Sequence, residues 1–142
     1  IIPPDGKDVK HLTYYYANGV KMQRRSASHG VVFIGTEGRV MVSRGQIDSD
    51  PASILEEPIG PNDIHLYESP GHHDDWLNSI RTRSRPICDV EIGHRSAAVC
   101  HLGNMAYWLN RPLRWDPEKE EIINDPGANR LLQRAMRSPW SL

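Results

Sequence analysis

The feature that most constrains this chain is a change of hydrophobic period near residue 70. Before it, short β-type runs alternate with turn residues; after it, apolar residues recur at helical spacing. A meander of strands followed by a run of helices is the α+β pattern. It predicts a mostly antiparallel open sheet with helices packed on one face, strands over about 12–67 and helices over about 70–137.

Ile1 to Lys10 has little periodicity. Leu12 to Ala17 and Val20 to Arg25 flank Asn18-Gly19, the strongest short-range hairpin signal, because both turn residues tolerate positive φ. Leu12, Tyr14 and Tyr16 share one strand face; Thr13, Tyr15 and Ala17 share the other. Val31 to Gly35 and Arg39 to Arg44 form a second pair around Thr36-Glu37-Gly38. From Gly45 to Pro70 the prolines at 51, 58, 61 and 70 imply loop, with a short strand at Ile64 to Tyr67 and a helical turn at Ala52 to Glu56.

In the second half, Ser69-Pro70 offers an N-cap and an N1 proline to a helix lined by Trp76, Leu77 and Ile80. His94 to Asn110 carries Ala98, Leu102, Met105 and Leu109 at helical spacing. Further apolar residues widen that stripe until the helix should be central, with Cys100 as a small buried thiol. Asp125-Pro126 begins a third helix with Leu131, Leu132, Ala135 and Met136 inward, closed by Ser138-Pro139.

A length of 142 residues suits one domain, and a net charge of −1 argues against a nucleic-acid partner, which needs a basic excess on one face. Apolar runs such as Val31 to Ile34 are far shorter than a bilayer span requires, so no membrane partner is expected. The chain opens Ile1-Ile2-Pro3-Pro4 without Met. Any targeting segment would lie upstream, which leaves a soluble cytoplasmic and an exported location both open. Cys88 and Cys100 are too few for a disulfide framework.

None of the eleven glycines lies two residues from another, so no G-x-G-x-x-G exists to hold a pyrophosphate at a helix N-terminus. No cofactor-binding and no catalytic residue is therefore assigned. His72-His73-Asp74-Asp75 reads first as a helix start, with acidic residues complementing the dipole. His72 and His73 are the possible substrate-facing members. Cys88, His94, Cys100 and His101 lack the close ligand pairs of a zinc site, and no metal ligand is assigned. Arg95, in the first turn of the central helix, runs against the dipole. A carboxylate partner would compensate, or a bound anionic substrate, which makes Arg95 a third substrate-facing candidate. Tyr14, Tyr15 and Tyr16 put phenols on both faces of one strand. With Met22 they form a possible interface on the uncovered sheet face, since Tyr and Met are enriched at subunit contacts.

Three segments and their order, Gly30 to Val42 (GVVFIGTEGRVMV), His72 to Pro86 (HHDDWLNSIRTRSRP) and Leu113-Arg114-Trp115-Asp116-Pro117, carry a family likeness. Together they resemble the C-terminal domain of Gfo/Idh/MocA oxidoreductases, over roughly the whole chain. The closing Arg137-Ser138-Pro139-Trp140 is similar to an environmental-bacterial subgroup, many of whose members are exported. The resemblance implies a nicotinamide-linked dehydrogenase acting on a sugar, polyol or related hydroxy compound, with NAD or NADP held by a separate domain. It also implies pairing through the open sheet. The family's catalytic lysine stands in an E-K-P motif, and its acidic residue and histidine stand near the start of the second domain. Neither matches a position here: the one Glu-Pro is Glu57-Pro58, without an intervening lysine.

The expectation is thus a C-terminal substrate and oligomerisation domain, a homodimer or higher oligomer that adds one wall to a small-molecule pocket and is not catalytic by itself. The rival is a non-catalytic module that self-associates or binds sugar. A metal-dependent hydrolase built on the His72 to Asp75 cluster is a third reading.

Overall fold

The structure, a computed structural model, describes residues 1–5, 9–25, 30–65 and 67–140. In chain order the elements are β1 (Thr13–Tyr15), β2 (Lys21–Gln23), β3 (Gly30–Ile34), β4 (Arg39–Ser43), β5 (Gln46–Asp50) and α1 (Ser53–Glu56), then α2 (His72–Thr82), α3 (Val90–Leu109), β6 (Trp115–Asp116), β7 (Glu121–Ile122) and α4 (Pro126–Asn129). The class is α+β, and every strand pair among the described residues is antiparallel. Among the described residues the strands divide over three sheets, β1-β2, β3-β4-β5 and β6-β7. The chain resolves into two compact units, Ile1–Arg25 with Cys88–Leu142, and Ser26–Ile87.

In the first unit the Asn-Gly hairpin forms as expected. Gly19 has φ +86°, and the Val20 N–H donates to Asn18 Oδ1 at 3.1 Å, which fixes the turn and pairs Tyr14 with Met22. β1 breaks simple alternation: Thr13 and Tyr14 are both buried, while Tyr15 and Tyr16 are exposed. Thr13 is covered because Ile2 bridges to it from the leading segment, making a short extra rung. Tyr14 is covered because it lies on α3, where Gly103 offers no side chain; a Cβ there would collide with the Tyr14 hydroxyl. That hydroxyl donates to the Val99 carbonyl at 2.9 Å, and burial pushes the phenol above its ordinary pKa.

α3 starts at Val90, four residues before the position read from its apolar spacing. Asp89 caps it, accepting the Ile92 N–H at 3.0 Å. The helix buries one face only: Leu102, Gly103, Met105 and Ala106 are inside, while Trp108 and Cys100 are exposed. The expected all-round burial and the buried thiol are therefore corrected. A helix packed on a short hairpin has too little partner surface to cover its full circumference. Leu113 and Ile122 complete the core with Leu12 and Ala128, each large aliphatic side chain contributing ~1.5–3 kcal/mol on burial.

The β6–β7 hairpin was not foreseen, because two-residue strands show no periodicity. Asp116 Oδ1 accepts the Glu118 and Lys119 N–H groups at 3.0 and 3.1 Å, closing its turn. These bonds hold the Asp116 carboxyl below the ordinary carboxylate range. Asp125 caps α4 as expected, accepting the Ala128 N–H at 3.0 Å. The helix then ends at Asn129, so the expected continuation through Met136 is corrected: Leu131 and Met136 are exposed and bring no packed face to sustain it. Asn129 instead grips β7, accepting the Ile122 N–H at 2.6 Å and donating to the Ile122 carbonyl at 3.0 Å.

In the second unit β3 pairs with β4 in the register Val31↔Val42 and Phe33↔Val40, and β4 pairs with β5. β5 replaces the expected loop. Gly45 at φ +76° makes the tight turn into it, and only Ile47 among its residues is a large apolar one. The strand expected at Ile64 to Tyr67 is not formed at residues 64, 65 and 67, and Leu66 lies outside the described residues. α1 occupies the helical turn expected there. Gly38 packs so tightly against it and the end of β5 that an added Cβ would meet the Asp50 carbonyl and Ile54 Cδ1. All of β3 is exposed, Phe33 at 61% and Ile34 at 81%.

α2 begins at His72 behind Gly71, without a side-chain cap, so the Ser69 cap is also corrected. Ser69 Oγ accepts the Gly71 N–H at 3.3 Å and turns the chain just ahead of the helix. The buried residues of α2 are Asp75 and Ser79, one turn apart, while Trp76, Leu77 and Ile80 are exposed. No helix among the described residues is long and apolar enough to cross a membrane.

Candidate functional site

A concavity in the second unit lies beside α2. It has a volume of about 340 Å³ and is lined by Tyr67, Pro70, Asp74, Asp75, Leu77, Asn78 and Arg81. Helical spacing gathers the set: Asp74 with Asn78, and Leu77 with Arg81, stand four residues apart on one side, and the segment from Tyr67 to Pro70 completes the wall.

Asp75 is the pivot. It is 5% exposed, and its Oδ2 accepts the Ile87 N–H at 3.0 Å, tying the chain beyond α2 back to the helix. Its buried Oδ1 has no hydrogen-bond partner among the described residues. The Tyr67 phenol interacts with the same carboxylate. Hydrogen bonding to it and its negative charge raise the phenol above its ordinary pKa, but the geometry leaves Oδ1 without a well-formed bond. A phenol raised in this way holds its proton at neutral pH and serves as a donor.

The sequence-predicted residues fall as follows. His72 and His73 are exposed, with ring centroids 4.0 Å apart, and neither lines the cavity. Arg95 belongs to the other unit and already has its carboxylate partners. Its Nε donates to Glu91 Oε1 at 2.7 Å, one Nη lies 3.4 Å from Glu120, and the same Nη donates to the Pro117 carbonyl at 2.7 Å. Because α3 starts early, Arg95 sits in the second turn, where the dipole conflict is relieved. His94 Nε2 joins the cluster through Glu120 at 2.7 Å. Of the interface candidates, Tyr14 is inside the core, whereas Tyr15, Tyr16 and Met22 are exposed, and the Tyr16 hydroxyl points to Met22 Sδ at 3.9 Å.

Among the described residues no group of three or more His, Cys, Asp or Glu side chains is placed to hold a metal ion. A dinucleotide does not fit the elements present either. Such a cofactor sits at the carboxyl edge of parallel strands, on a glycine-rich turn, and all strand pairs among the described residues are antiparallel. The cavity residues that sequence reasoning missed are Tyr67, Pro70, Leu77 and Asn78 as a set. Only the chain's return onto α2 brings them together, and the one local signal was an acidic pair that also suits a helix start.

Neither curated proteins nor solved structures yield a match to this chain. Residues 7–142 do match the profile of an oxidoreductase family, described as its C-terminal alpha/beta domain. The matched span includes every named strand, the α2 cavity and α3, in agreement with an α+β domain. The chain belongs to the Gfo/Idh/MocA oxidoreductase family, as its C-terminal domain.

Proposed function

We propose that this chain acts as the substrate-side and self-associating domain of an NAD(P)-dependent oxidoreductase that works on a sugar, polyol or related hydroxy compound. The observation that carries the reading is the family match over residues 7–142. In this arrangement the nicotinamide is held by a different domain, and no step at the cofactor belongs to residues of this chain. What the chain supplies is a polar wall and a surface for a second copy.

Self-association draws its support from exposed apolar strands. β3 presents Val31 and Phe33 on one side and Val32 and Ile34 on the other, all exposed. The β1–β2 hairpin presents Tyr15, Tyr16 and Met22. Each unit thus exposes apolar strand surface of its own, of the kind that marks an interaction site, and a two-fold pairing lets such a patch bury itself against its copy. Such an interface should exceed ~1,000 Å² of total buried area.

The second reading, a module that binds or self-associates without chemistry, is favoured by one feature: the α2 cavity is lined by Tyr67, Asp74, Asp75, Asn78 and Arg81, with no histidine or cysteine among its lining residues. Expression of the complete reading frame that encodes this domain separates the two. NAD(P)H absorbance, followed across a panel of sugars and polyols, should change with at least one member. Silence across the panel with both cofactors would defeat the oxidoreductase reading.

A further inference from the structure

Ile1 and Ile2 each make a full main-chain rung, on opposite sides. The Ile2 N–H donates to the Thr13 carbonyl at 2.8 Å, and the Ile2 carbonyl accepts the Thr13 N–H at 2.9 Å. The Ile1 nitrogen donates to the Leu113 carbonyl at 2.8 Å, and the Ile1 carbonyl accepts the Leu113 N–H at 2.8 Å. Each exchange is that of a hydrogen-bonded antiparallel pair. Ile1 and Ile2 thus lie as an inner strand between β1 and the chain entering β6. We infer that this inner position continues past Ile1 as an open strand slot, shaped for an extended segment joined to the amino side of Ile1.

Both walls of the slot have main-chain groups turned into it. Leu12 accepts the Arg24 N–H and Tyr16 donates to Val20, so these two face β2, and Thr13 and Tyr15 face the other way. The Arg114 carbonyl accepts the Ile123 N–H at 2.8 Å, so Arg114 faces β7, and Leu113 and Trp115 face away from it. Ile122, opposite Trp115, agrees: its N–H and carbonyl go to Asn129 and not to β6. Ile2 and Ile1 fill the positions at Thr13 and Leu113. Among the described residues Tyr15 and Trp115 have no main-chain partner on that side. Antiparallel register sets the residue just ahead of Ile1 opposite Tyr15, and the one before it opposite Trp115.

Alternation also sets the chemistry of the occupant. Ile1 and Trp115 both pack against the core, so the second residue ahead of Ile1, on their face, has to be apolar. The first lies on the face of Ile2 beside Tyr15, which is 60% exposed, and tolerates a polar side chain. Neither suits proline, which has no N–H to give to the Tyr15 or Trp115 carbonyl. A segment entering this way is hydrogen-bonded on both sides, so a body attached to it is held on a stiff lead and not on a loose tether. The inference rests on main-chain pairing alone and goes beyond the oxidoreductase reading.

The test lengthens the whole chain ahead of Ile1 by Ser-Thr-Val-Thr or by Ser-Thr-Pro-Thr, and follows amide exchange with deuterium by proton–nitrogen correlation NMR. The valine extension should slow the Tyr15 and Trp115 amides about tenfold or more against the unextended chain, and leave the β3–β4 amides unchanged. The proline extension should lose most of that protection. A separate Ser-Thr-Val-Thr peptide should not reproduce it, because only a tethered segment is held at the slot at high effective concentration. The inference is overturned if Tyr15 and Trp115 exchange alike in all three chains, or if the slowing is spread equally over the β3–β4 amides. It is equally overturned if the proline extension protects as well as the valine one, or the separate peptide as well as the tethered one. None of these outcomes bears on the cofactor-linked assay, so the two readings fail separately.

Discussion

The Tyr14 hydroxyl donates to the Val99 carbonyl at 2.9 Å, over the stretch of α3 where Gly103 leaves the helix bare. Strand and helix are thus joined by a contact that depends on a missing side chain. Gly103→Ala should raise helix propensity by ~1 kcal/mol yet lose more through overpacking, which costs ~1–3 kcal/mol. The new methyl would meet the Tyr14 hydroxyl, and Leu12 Cδ2 at 2.9 Å. Urea denaturation should show a lower midpoint for Gly103→Ala, and a smaller loss when Tyr14→Phe is already present. Equal losses in both backgrounds would mean that the two residues do not oppose each other.

Asp125 joins a helix cap to an ion pair. It accepts the Ala128 N–H at 3.0 Å and pairs with the Arg111 guanidinium at 2.6 Å. The Arg111 hydrogen bond, followed by that of Ala128, holds its carboxyl below the usual range. A depressed folded-state value stabilises the fold above the unfolded pKa, and the contribution is lost as pH falls through the folded one. Asp125→Ala should therefore lower the denaturation midpoint at neutral pH, and the gap from the parent should close on acidification below the ordinary carboxylate range. A gap that is constant with pH would show that the charge of Asp125 contributes nothing.

The Tyr67 phenol should titrate above its ordinary value, because hydrogen bonding to Asp75 and the charge of that carboxylate both favour the neutral phenol. Asp75→Asn removes the charge, and the midpoint should move down. Tyrosinate absorbance against pH, with Tyr67→Phe to assign the signal, reads this directly. An unmoved midpoint would break the link between the two cavity residues.

Much of this fold was legible where a local steric rule acts alone. Asn18-Gly19 announced its hairpin, Gly38 marked the second turn, and Asp125-Pro126 marked a helix start. β5 was hidden because its order comes from pairing with β4 and not from its own pattern, in which Ile47 is the one large apolar residue. The apolar spacing after Asn129 pointed to a helix that tertiary contacts do not sustain. At the cavity, Asp75 looked like any acidic residue in a first turn. Its burial follows from the return of Ile87 onto it, a contact no local pattern encodes.

Calorimetric titration of the chain with NAD and with NADP should show no saturable heat. There is no G-x-G-x-x-G in the sequence, and the sheets formed by the described residues offer no parallel edge on which a pyrophosphate could rest. Micromolar binding of either dinucleotide would require a cradle of another design.

Light scattering at micromolar protein should give a mass of about twice the monomer's 16.1 kDa or more, as a self-complementary patch requires. Phe33→Lys places a charge on the exposed β3 and should return the mass toward the monomer. A monomeric parent chain would remove self-association from the proposed role.

The grip of Asn129 on Ile122 gives the smallest sheet a finished border. With one side-chain amide supplying both an acceptor and a donor, β7 meets at that residue what a neighbouring strand would have provided, and an incoming chain finds the position taken. β3 has no such stopper at any of its five residues among those described, and its side chains are apolar. Strand addition at β7 thus meets an occupied position at Ile122, whereas β3 offers it an apolar border. Asn129→Asp would keep the acceptor for the Ile122 N–H and leave the Ile122 carbonyl without its side-chain donor.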